Sequence, residues 1–581
     1  MTTDFPQDFA NGVIVLVRKR GTTNTARGYR PISLLNADFK ILSRILKARL
    51  ELIIKSRRIL SDAQKCCNDG HSIFEATLSL KDRIAELRAR KRRGKLISYE
   101  LDHALDRVSL SFLHETMRQL GINPAFVNVL KRIAERSSSR LLVNGHLSER
   151  FSIERSVRQG DPISMLLFVI YLHPLLQQLE RRIGTDLVVA YADDISVIVT
   201  NTQVIEEINE LFDRFEQTAG TKLNRDKTVA IDVGLSDGEP LFVPWLQTAE
   251  KVKVLGIYFV NSIRAMIKIN WDTLVTKFTQ QLWIHSLRNL NLQQKVVLLN
   301  TFITAKIWYV APVLPPYCVH TAKITATMGS FLWRGLPARV PMQQMARDRN
   351  SGGMNLQLPA LKCKALLINR HMQARNSLPF YQFLLNEATP PPADRPCLKL
   401  LSQQIPLLPP LIREHPTSSQ IHGLFLERTE KSRVEREHPN LNWRRIWTNI
   451  ATKKLRSEIW SNLFLLINEK TEHRKLMRTI HRADAESCLH CNAQVETLQH
   501  KFSECPRVAH AWHFVQEKLT VILGGWRRLS FEDLLRPTLL NIGPVKRNKI
   551  LQVLILYITY VSQVNDRIDV EALNFHFQCE S

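Results

Sequence analysis

The sequence predicts a mixed α/β (α+β) chain in which strands and helices alternate at first and helices dominate the rest. Short apolar runs bounded by Gly, Pro and polar residues recur as far as Phe259, and such runs are typical of strands. Beyond about Asn261, apolar residues recur at helical spacing instead. With 581 residues the chain exceeds what a single hydrophobic core usually holds, so we expect several domains.

The chain is strongly basic throughout its length. Its 80 Lys and Arg against 54 Asp and Glu give a formal net charge of +26, which indicates a polyanionic partner. Such a partner is most often nucleic acid and less often an anionic membrane surface. No apolar stretch approaches the roughly 20 residues of a membrane span, and the start lacks a signal-peptide pattern, so we expect a soluble, intracellular protein. Nine Cys residues are too few for a disulfide scaffold.

The predicted elements of the N-terminal part alternate between strand and helix. Apolar residues from Phe39 to Ile54 recur at helical spacing with basic residues between them, which predicts an amphipathic helix. A basic run after Leu87 suits the C-terminal end of a second helix electrostatically. In chain order we expect strands at 12–17 and 29–35, helices at 39–54 and 72–87, a strand at 95–99 and a helix at 111–119.

Two adjacent carboxylates stand between two apolar runs. The runs Leu187–Ala190 and Ile195–Val199 predict paired strands, with Tyr191–Asp194 as the turn between them. A carboxylate that is removed from water and left unpaired is costly, so a turn that buries Asp193 and Asp194 needs donors, water or cations, and a divalent cation is the simplest of these. The alternative is an exposed acidic turn, since Asp is a common turn residue.

A second acidic stretch follows the strand predicted at 95–99. It begins with Glu100 and includes Asp102. Phosphoryl chemistry with two Mg2+ ions requires carboxylates that converge, and strand ends supply such positions. Both acidic stretches therefore follow strands in the way that a two-metal site requires.

The segment 156–164 lies between these two acidic stretches. We expect Asp161 to cap a helix that begins at Pro162, and Gly160 to let the backbone approach a base pair closely. A plain Asp-Pro helix start is the alternative, but it explains only two of the residues in the segment.

Seven short segments are informative through their order along the chain. They are Ala26–Leu35, Ala104–Val108, Val143–Gly145, Arg158–Pro162, Tyr191–Asp194, Lys222–Thr228 and Val254–Gly256. Together they resemble the reverse transcriptases of non-LTR (LINE-like) retrotransposons, and the resemblance runs through most of the chain. It implies a right-hand polymerase fold, with fingers and palm in residues 1–261 and a helical thumb and post-thumb region in residues 262–375.

The resemblance also implies roles for individual residues and for partners. Asp193 and Asp194 are implied ligands of two Mg2+ ions. The implied partners are an RNA template, a DNA primer or target, and dNTPs. The residues implied to contact these substrates are Arg30 at the triphosphate, Gln159 and Gly160 at the nascent base pair, and Lys227 as proton donor to pyrophosphate.

Two positions depart from the family's pattern. Glu100 stands where the first catalytic Asp is expected, and Leu105 occupies the aromatic steric-gate position. The extra methylene moves the carboxylate by roughly 1 Å, whereas Mg2+ demands ligands at about 2.0 to 2.1 Å. We keep Glu100 as the third Mg2+ ligand, because Asp102 lies past the predicted strand end, and we expect Asp106 to be structural. Leu105 is expected to exclude ribonucleotides less strictly.

A cluster of Cys and His residues lies near the C-terminus. Cys488, Cys491, His500 and Cys505 have the spacing C-x2-C-x8-H-x4-C, which supplies four ligands for a structural Zn2+ ion. Unpaired cysteines with a chance histidine are the alternative. His490 is a competing ligand, but its place between the first two cysteines makes it a poor one. The resemblance adds that such zinc knuckles close the reading frame of many LINE-like elements.

The remaining boundaries follow from proline density. Prolines crowd the stretch from Thr389 to Pro416, which argues against regular helix or sheet and indicates a linker. We therefore expect a Pro-rich linker at 376–420 and a helical C-terminal region at 421–581, with the zinc knuckle at 488–505.

These observations favour an RNA-directed DNA polymerase of a non-LTR retrotransposon, which extends a DNA 3′-end on an RNA template. By resemblance, we expect it in a ribonucleoprotein of the nucleus and cytoplasm. The sequence starts just before the fingers, which suggests a truncated copy without the upstream endonuclease domain. The main alternative is a catalytically impaired or dead remnant that only binds nucleic acid. An intron-encoded maturase-type polymerase is a weaker one, disfavoured by the zinc knuckle.

Overall fold

The fold is described from a computed structural model of the chain. The structure describes residues 6, 8–19, 25, 28–184, 186–235, 243–386, 395–426, 431–451, 455–525, 530, 531, 533, 542–564 and 568–580. Residues 26 and 27 of the segment 26–35, and residues 387–394 of the predicted linker, lie outside this part of the chain. The chain divides into two compact units: Met1–Asn270 with Arg370–Leu407, and Trp271–Asn369 with Leu408–Ser581. The four domain ranges expected from the sequence stay predictions.

The strands lie almost entirely in the first 260 residues, as expected. They are β1 Gly12–Arg18, β2 Tyr29–Leu35, β3 Arg93–Asp102, β4 Ser138–Val143, β5 His146–Leu147, β6 Phe151–Ser152, β7 Leu187–Tyr191, β8 Asp194–Val199, β9 Lys222–Leu223, β10 Val229–Gly234, β11 Gln247–Thr248, β12 Val252–Val254 and β13 Ile257–Phe259. Within the described ranges, no strand follows Phe259, so the predicted change to helices is confirmed.

The helices of the first part alternate with these strands. Four core positions of α1, from Phe39 to Ile54, are buried, which confirms the predicted amphipathic helix. Ser72 caps α2 by accepting a hydrogen bond from the Glu75 amide. The helices are α1 Ala37–Arg57, α2 Ile73–Ala89, α3 Leu110–Gln119, α4 Pro124–Glu135, α5 Ser164–Ile183 and α6 Thr202–Ala219.

From residue 263 onward the described chain is helical. Its α-helices are α7 Ile263–Ser286, α8 Leu292–Leu298, α9 Ala305–Val310, α10 Cys318–Trp333, α11 Met342–Ala346, α12 Pro359–Gln373, α13 Pro379–Asn386, α14 Arg395–Gln404, α15 Pro410–Glu414, α16 Ser418–Leu426, α17 Arg433–Glu437, α18 Trp443–Ile450, α19 Ser457–Ile467, α20 Arg474–Thr479, α21 Ala509–Leu523, α22 Pro544–Gln563 and α23 Val570–Glu580. Among the helices so described, none is both long enough and apolar enough to cross a membrane.

Two expectations about helices are wrong. The first is a boundary: the helix after the Asp-Pro pair begins at Ser164, two residues later than expected, and Ile163 occupies its cap position. The expectation that prolines exclude regular structure near residues 389–416 fails for α14 and α15. Pro396 and Pro410 lie in the first turns of those helices, where a missing amide hydrogen costs no helical hydrogen bond.

Two sheets organise the first unit. In one, β1 pairs antiparallel with β2 and parallel with β4. The other has the order β11-β10-β3-β8-β7, so β3 lies at its centre, and β9 pairs with the end of β3. Buried side chains of α5 and α6 form one hydrophobic core with β3, β7 and β8. This central sheet carries the acidic residues that the sequence places at strand ends.

Candidate active site

A tight hairpin presents the two adjacent carboxylates. β7 pairs antiparallel with β8, and Tyr191 lies opposite Asp194, so only Ala192 and Asp193 form the turn. Ala192 has φ 55°, a left-handed conformation that an L-residue other than Gly rarely adopts. We call residues 187–199 the Asp-Asp hairpin. Its apolar strand residues are buried in the core, which confirms the strand–turn–strand pattern read from the sequence.

Glu100 reaches the same end of the sheet from the central strand. β3 runs antiparallel to β8, and Glu100 lies opposite Asp194 in the register. Glu100 of β3, Asp194 of β8 and Asp193 of the turn therefore lie at the same edge of the sheet. Burial, together with the charge of Glu100, raises the pKa of Asp193. Burial and the charges of Asp193 and Glu100 raise the pKa of Asp194 to about 6.

Burial is the main cause of the raised pKa values of Asp193 and Asp194, and the neighbouring negative charges add to it. Bringing like charges together in a partly buried site is unfavourable unless a cation compensates them. Carboxylate oxygens are the ligands that Mg2+ prefers in proteins. The ligand types of Glu100, Asp193 and Asp194 thus suit a divalent metal. Their carboxylate oxygens do not all lie within 4.8 Å of one another in this structure.

Lys227 contacts one of the three carboxylates. Its Nζ donates to Glu100 Oε1 at 2.7 Å, and both side chains are about half exposed, at 57% and 49%. Sequence reasoning placed these two residues in separate roles, as a proton donor and as a metal ligand. The structure pairs them, so part of the Glu100 charge is already compensated.

The other acidic residues of the segment after Tyr99 have partners of their own. Asp102 lies within β3, not past its end as expected, and its Oδ2 accepts from Arg107 Nη2 at 2.8 Å. Asp106 Oδ1 accepts from Gln159 Nε2 at 3.4 Å. Leu105 is half-buried against the main core of the first unit. These contacts agree with structural roles for Asp102 and Asp106.

Gly160 is needed where the chain passes β2. It has φ +117°, and a Cβ at this position would lie 2.4 Å from the carbonyl oxygen of Ser33. The amide of Ser33 donates to the carbonyl of Gln159 at 2.6 Å. The glycine therefore permits close approach to a neighbouring strand. Its expected approach to a base pair stays a prediction.

Residues on either side of Gly160 fasten the same loop. Arg158 is 7% exposed and donates to the carbonyl of Ala10 at 2.6 Å. Asp161 accepts hydrogen bonds from the hydroxyl of Ser43 and, at 3.3 Å, from the amide of Ile163. Asp161 thus binds an amide just before α5 instead of capping a helix that begins at Pro162.

Arg30 extends from β2 toward the acidic residues. It is exposed and lies opposite Val17 in the register of β1 and β2. Its positive charge lowers the pKa of Asp193, against the larger effect of burial. Arg30 is therefore close enough to act electrostatically at this site, and its expected contact with a triphosphate stays a prediction.

Sequence reasoning missed one residue that contacts the Asp-Asp hairpin. Gln64 is 1% exposed and makes hydrogen bonds to the backbone of Ala192 through both atoms of its side-chain amide. It lies in an irregular segment between α1 and α2. No periodicity or spacing marks such a residue, because its role depends on a contact between distant parts of the chain.

A second candidate site lies in the other unit. The ligand atoms of Cys488, Cys491, His500 and Cys505 all lie within 4.8 Å of one another. Cys491 Sγ is 3.2 Å from His500 Nε2, and Cys488 Sγ is 3.9 Å from Cys505 Sγ. Sulfur atoms that share a tetrahedral Zn2+ at about 2.3 Å are about 3.8 Å apart, so this set fits such an ion. His490 contacts Arg507 Nη1 instead, at 3.1 Å.

Comparisons with known proteins agree with this geometry. Residues 17–259 match the family model described as reverse transcriptase (RNA-dependent DNA polymerase). The chain is 23% identical over 526 residues to the Pol polyprotein of the type-2 retrotransposable element R2DM of Drosophila melanogaster, with 85% of this chain and 47% of that protein covered. It is 24% identical over 351 residues to the transposon TX1 uncharacterized 149 kDa protein of Xenopus laevis, with 57% and 26% covered.

A third relative is the Pol polyprotein of the type-1 retrotransposable element R2 of Popillia japonica, 29% identical over 236 residues, with 38% of this chain and 32% of that protein covered. The chain thus spans between 26% and 47% of these three relatives. A structure of telomerase from Candida tropicalis in complex with a telomeric RNA fragment is 14% identical and covers 73% of this chain and 65% of that one, with a TM-score of 0.37. A TM-score this low carries no weight for function.

The family match over residues 17–259 covers the central sheet, most of the sheet that contains β2 and β4, and the three acidic residues. The relatives are proteins of retrotransposable elements. Residues 17–259 of this chain therefore form a reverse transcriptase domain similar to those of retrotransposable elements.

Proposed function

We propose that the chain extends a DNA 3′-end on an RNA template by nucleotidyl transfer with two Mg2+ ions, held by Glu100, Asp193 and Asp194. The observation that carries the proposal is the register of the central sheet, which sets Glu100 opposite Asp194 and beside Asp193. Carboxylates on adjacent antiparallel strands meet at one edge of a sheet, where incoming nucleotide and primer have access from solvent.

Mg2+ bound at these carboxylates would activate the primer hydroxyl and compensate charge on the leaving pyrophosphate. The chain's own residues contribute position and charge. We expect Arg30 to bind the triphosphate of a dNTP, and its charge effect on Asp193 supports this role. We expect Lys227 to protonate pyrophosphate, and its contact with Glu100 supports a position near the site.

Gln159, Gly160 and Leu105 complete the proposed substrate site. Gln159 presents its amide beside Asp106, and Gly160 keeps the loop close to β2. Leu105 replaces a planar aromatic gate with a smaller, branched side chain. We therefore expect weaker discrimination against ribonucleotides than an aromatic residue gives.

Primer extension on an RNA template with Mg2+ and dNTPs tests this function. The double variant Asp193→Asn plus Asp194→Asn removes both charges at constant shape, and we expect it to abolish extension. Asp213→Asn, an exposed aspartate paired with Arg225, is the matched control. Extension that continues unchanged in the double variant would sink the metal-site assignment.

A second candidate function is nucleic-acid binding without catalysis. It is favoured by the Glu100–Lys227 bond at 2.7 Å, because a carboxylate that is engaged by lysine is a poorer metal ligand. The net charge of +26 supports binding in either case.

The Cys and His cluster is the proposed site of one structural Zn2+ ion. Metal analysis of the purified chain should find about one zinc per molecule, and Cys488→Ser should remove it. His490→Ala is the matched control, since His490 contacts Arg507 and should leave the zinc content unchanged. Loss of zinc in the His490 variant would mean that His490, and not His500, is the histidine ligand.

The finer organisation belongs to the same proposal. Residues 1–261 serve as fingers and palm, 262–375 as a helical thumb and post-thumb region, and 421–581 as a helical nucleic-acid-binding region that follows the linker. We propose that the protein assembles with its RNA template and acts in the nucleus and cytoplasm as a ribonucleoprotein. Fractionation of cells that express the tagged chain, with RNA crosslinking, tests both points.

A further inference from the structure

Gln64 lies directly beneath the turn of the Asp-Asp hairpin. It belongs to the irregular segment between α1 and α2, and its side chain is almost fully buried. Buried amide side chains are rarely left without partners, because each unmade hydrogen bond is costly. The partners of Gln64 therefore indicate what it holds in place.

Those partners are the backbone groups of the turn itself. Gln64 Oε1 accepts from the amide of Ala192 at 3.0 Å, and Gln64 Nε2 donates to the carbonyl of Ala192 at 3.4 Å. The same Oε1 accepts from the amide of Cys66 at 3.0 Å, which fixes the side chain to its own segment. One side chain thus binds both polar groups of a single turn residue.

The backbone on either side of Gln64 is also bonded to the hairpin. The amide of Lys65 donates to the carbonyl of Ala190, and the amide of Ala190 donates to the carbonyl of Ala63, both at 2.8 Å. Residues 63–65 therefore lie along the outer edge of β7 as a short parallel bridge. The position of Gln64 relative to the turn is set on both sides.

The turn needs such support because of its conformation. Ala192 has φ 55°, which is unfavourable for an L-residue and persists only when surrounding contacts stabilise it. Asp193 follows directly, so the direction of its carboxylate depends on Ala192. An amide suits this place, since a negatively charged side chain would add to the repulsion among Glu100, Asp193 and Asp194, and a positively charged one could not accept from the Ala192 amide.

We propose that Gln64 is a positioning residue for the polymerase reaction: its side-chain amide holds Ala192 in the left-handed turn that directs Asp193 and Asp194 toward the metal site. This inference rests on the proposed function of the Asp-Asp hairpin. It assigns to an interior residue, more than a hundred positions before the hairpin, a direct influence on metal binding.

Hydrogen–deuterium exchange on the full chain tests the contact without requiring activity. Gln64→Met keeps the length of the side chain and removes both hydrogen bonds to Ala192. We therefore expect the backbone amides of peptides that span residues 187–199 to exchange about tenfold faster. Gln344→Met is the matched control, because Gln344 is 7% exposed and bonded to Asn468 in the other unit. Equal exchange of the hairpin in both variants would overturn the proposal.

Divalent-ion dependence tests the consequence. In Gln64→Met we expect the Mn2+ dissociation constant, measured by titration, and the Mg2+ concentration for half-maximal primer extension to rise about tenfold or more, because small misplacements of ligands cost much in rate.

The outcomes separate this inference from the function on which it rests. Wild-type chain that binds no Mn2+ and extends no primer contradicts the proposed function, and the positioning role fails with it. Wild-type chain that binds Mn2+ with an affinity unchanged in Gln64→Met contradicts the positioning role alone. A metal dependence that shifts equally in Gln344→Met would mean a general loss of stability and would also overturn it.

Discussion

At the scale of single residues, the length of the Glu100 side chain affects whether its carboxylate binds Lys227 or a metal ion. It lets the carboxylate reach Lys227 Nζ at 2.7 Å, while the backbone of Glu100 stays opposite Asp194. Both side chains are about half exposed, and such ion pairs contribute only about 0 to 1 kcal/mol. A divalent cation can therefore compete with the lysine for this carboxylate, at some loss of affinity.

Shortening Glu100 should free the carboxylate for the metal. We expect Glu100→Asp to raise the rate of primer extension by roughly tenfold to a hundredfold, because it restores a ligand position that is off by about 1 Å. Glu115→Asp makes the same change at an exposed glutamate on α3, paired with Arg118, and should leave the rate unchanged. No extension by either the wild type or Glu100→Asp, with RNA binding intact, would favour the binding-only function.

The sequence predicts some residues of the site and misses others for a simple reason. The place of Asp193 and Asp194 follows from the apolar strands on both sides, which is local information. The Lys227–Glu100 and Gln64–Ala192 contacts join residues 127 and 128 positions apart. Only the pairing of strands and the path of irregular segments bring them together, and neither is encoded in periodicity.

At the scale of elements, the loop before α5 shows what a glycine does there. Gly160→Ala should lower the free energy of unfolding by about 1 to 3 kcal/mol, since the new Cβ would meet the Ser33 carbonyl at 2.4 Å. Gly145 has φ +84° but nothing within 4 Å, so Gly145→Ala reports backbone strain alone and should cost less. Urea denaturation measures both. If both variants lose the same free energy of unfolding, the new Cβ at position 160 does not clash with Ser33, and the prediction is wrong.

The start of α13 should make stability depend on pH. Asp82 accepts from the amides of Phe380 and Tyr381 at 3.2 and 2.8 Å, and burial raises its pKa to about 7. A carboxyl whose pKa is higher in the folded state binds a proton on folding, so its contribution to stability falls as pH rises from about 4 to about 7. Thermal unfolding between pH 5 and 7.5 should show this slope, and Asp82→Asn should flatten it. The same slope in both proteins would contradict the assignment.

Element boundaries were harder to predict than element types. The strand at 29–35 is confirmed to the residue, whereas α5 begins later than the Asp-Pro pair suggested. Proline density was misleading at α14 and α15, because proline breaks a helix in its interior and favours its first turn. Counting prolines ignores where in an element each one stands.

At the scale of the whole molecule, the charge of +26 is the dominant property. We expect the binding of a single-stranded RNA to weaken by about a thousandfold or more between 50 and 200 mM salt, because about seven or more phosphate contacts would each release counterions. Fluorescence anisotropy at several salt concentrations measures the slope. An uncharged peptide nucleic acid of the same sequence is the control and should show no such slope. A shallow slope with RNA would limit the phosphate contacts to one or two.

The sequence predicts the broad order of the chain better than its division into units. The sequence predicts strands before residue 260 and helices after it. It also predicts acidic residues at the ends of two apolar strands. The return of Arg370–Leu407 to the first unit was not predicted, because contiguous segments are the natural assumption when a linear pattern is read. Contacts such as those of Asp82 with Phe380 and Tyr381 establish that return.

The loop of residues 158–161 has a mechanical consequence. Arg158 binds the backbone at Ala10 before β1, Gln159 binds β2, and Asp161 binds Ser43 of α1, so four consecutive residues connect the outer sheet and its helix to the start of α5. A shift of that sheet relative to α5 would strain all of these contacts at once. Under the proposed function, Gln159 would therefore move together with β2 and not independently of it.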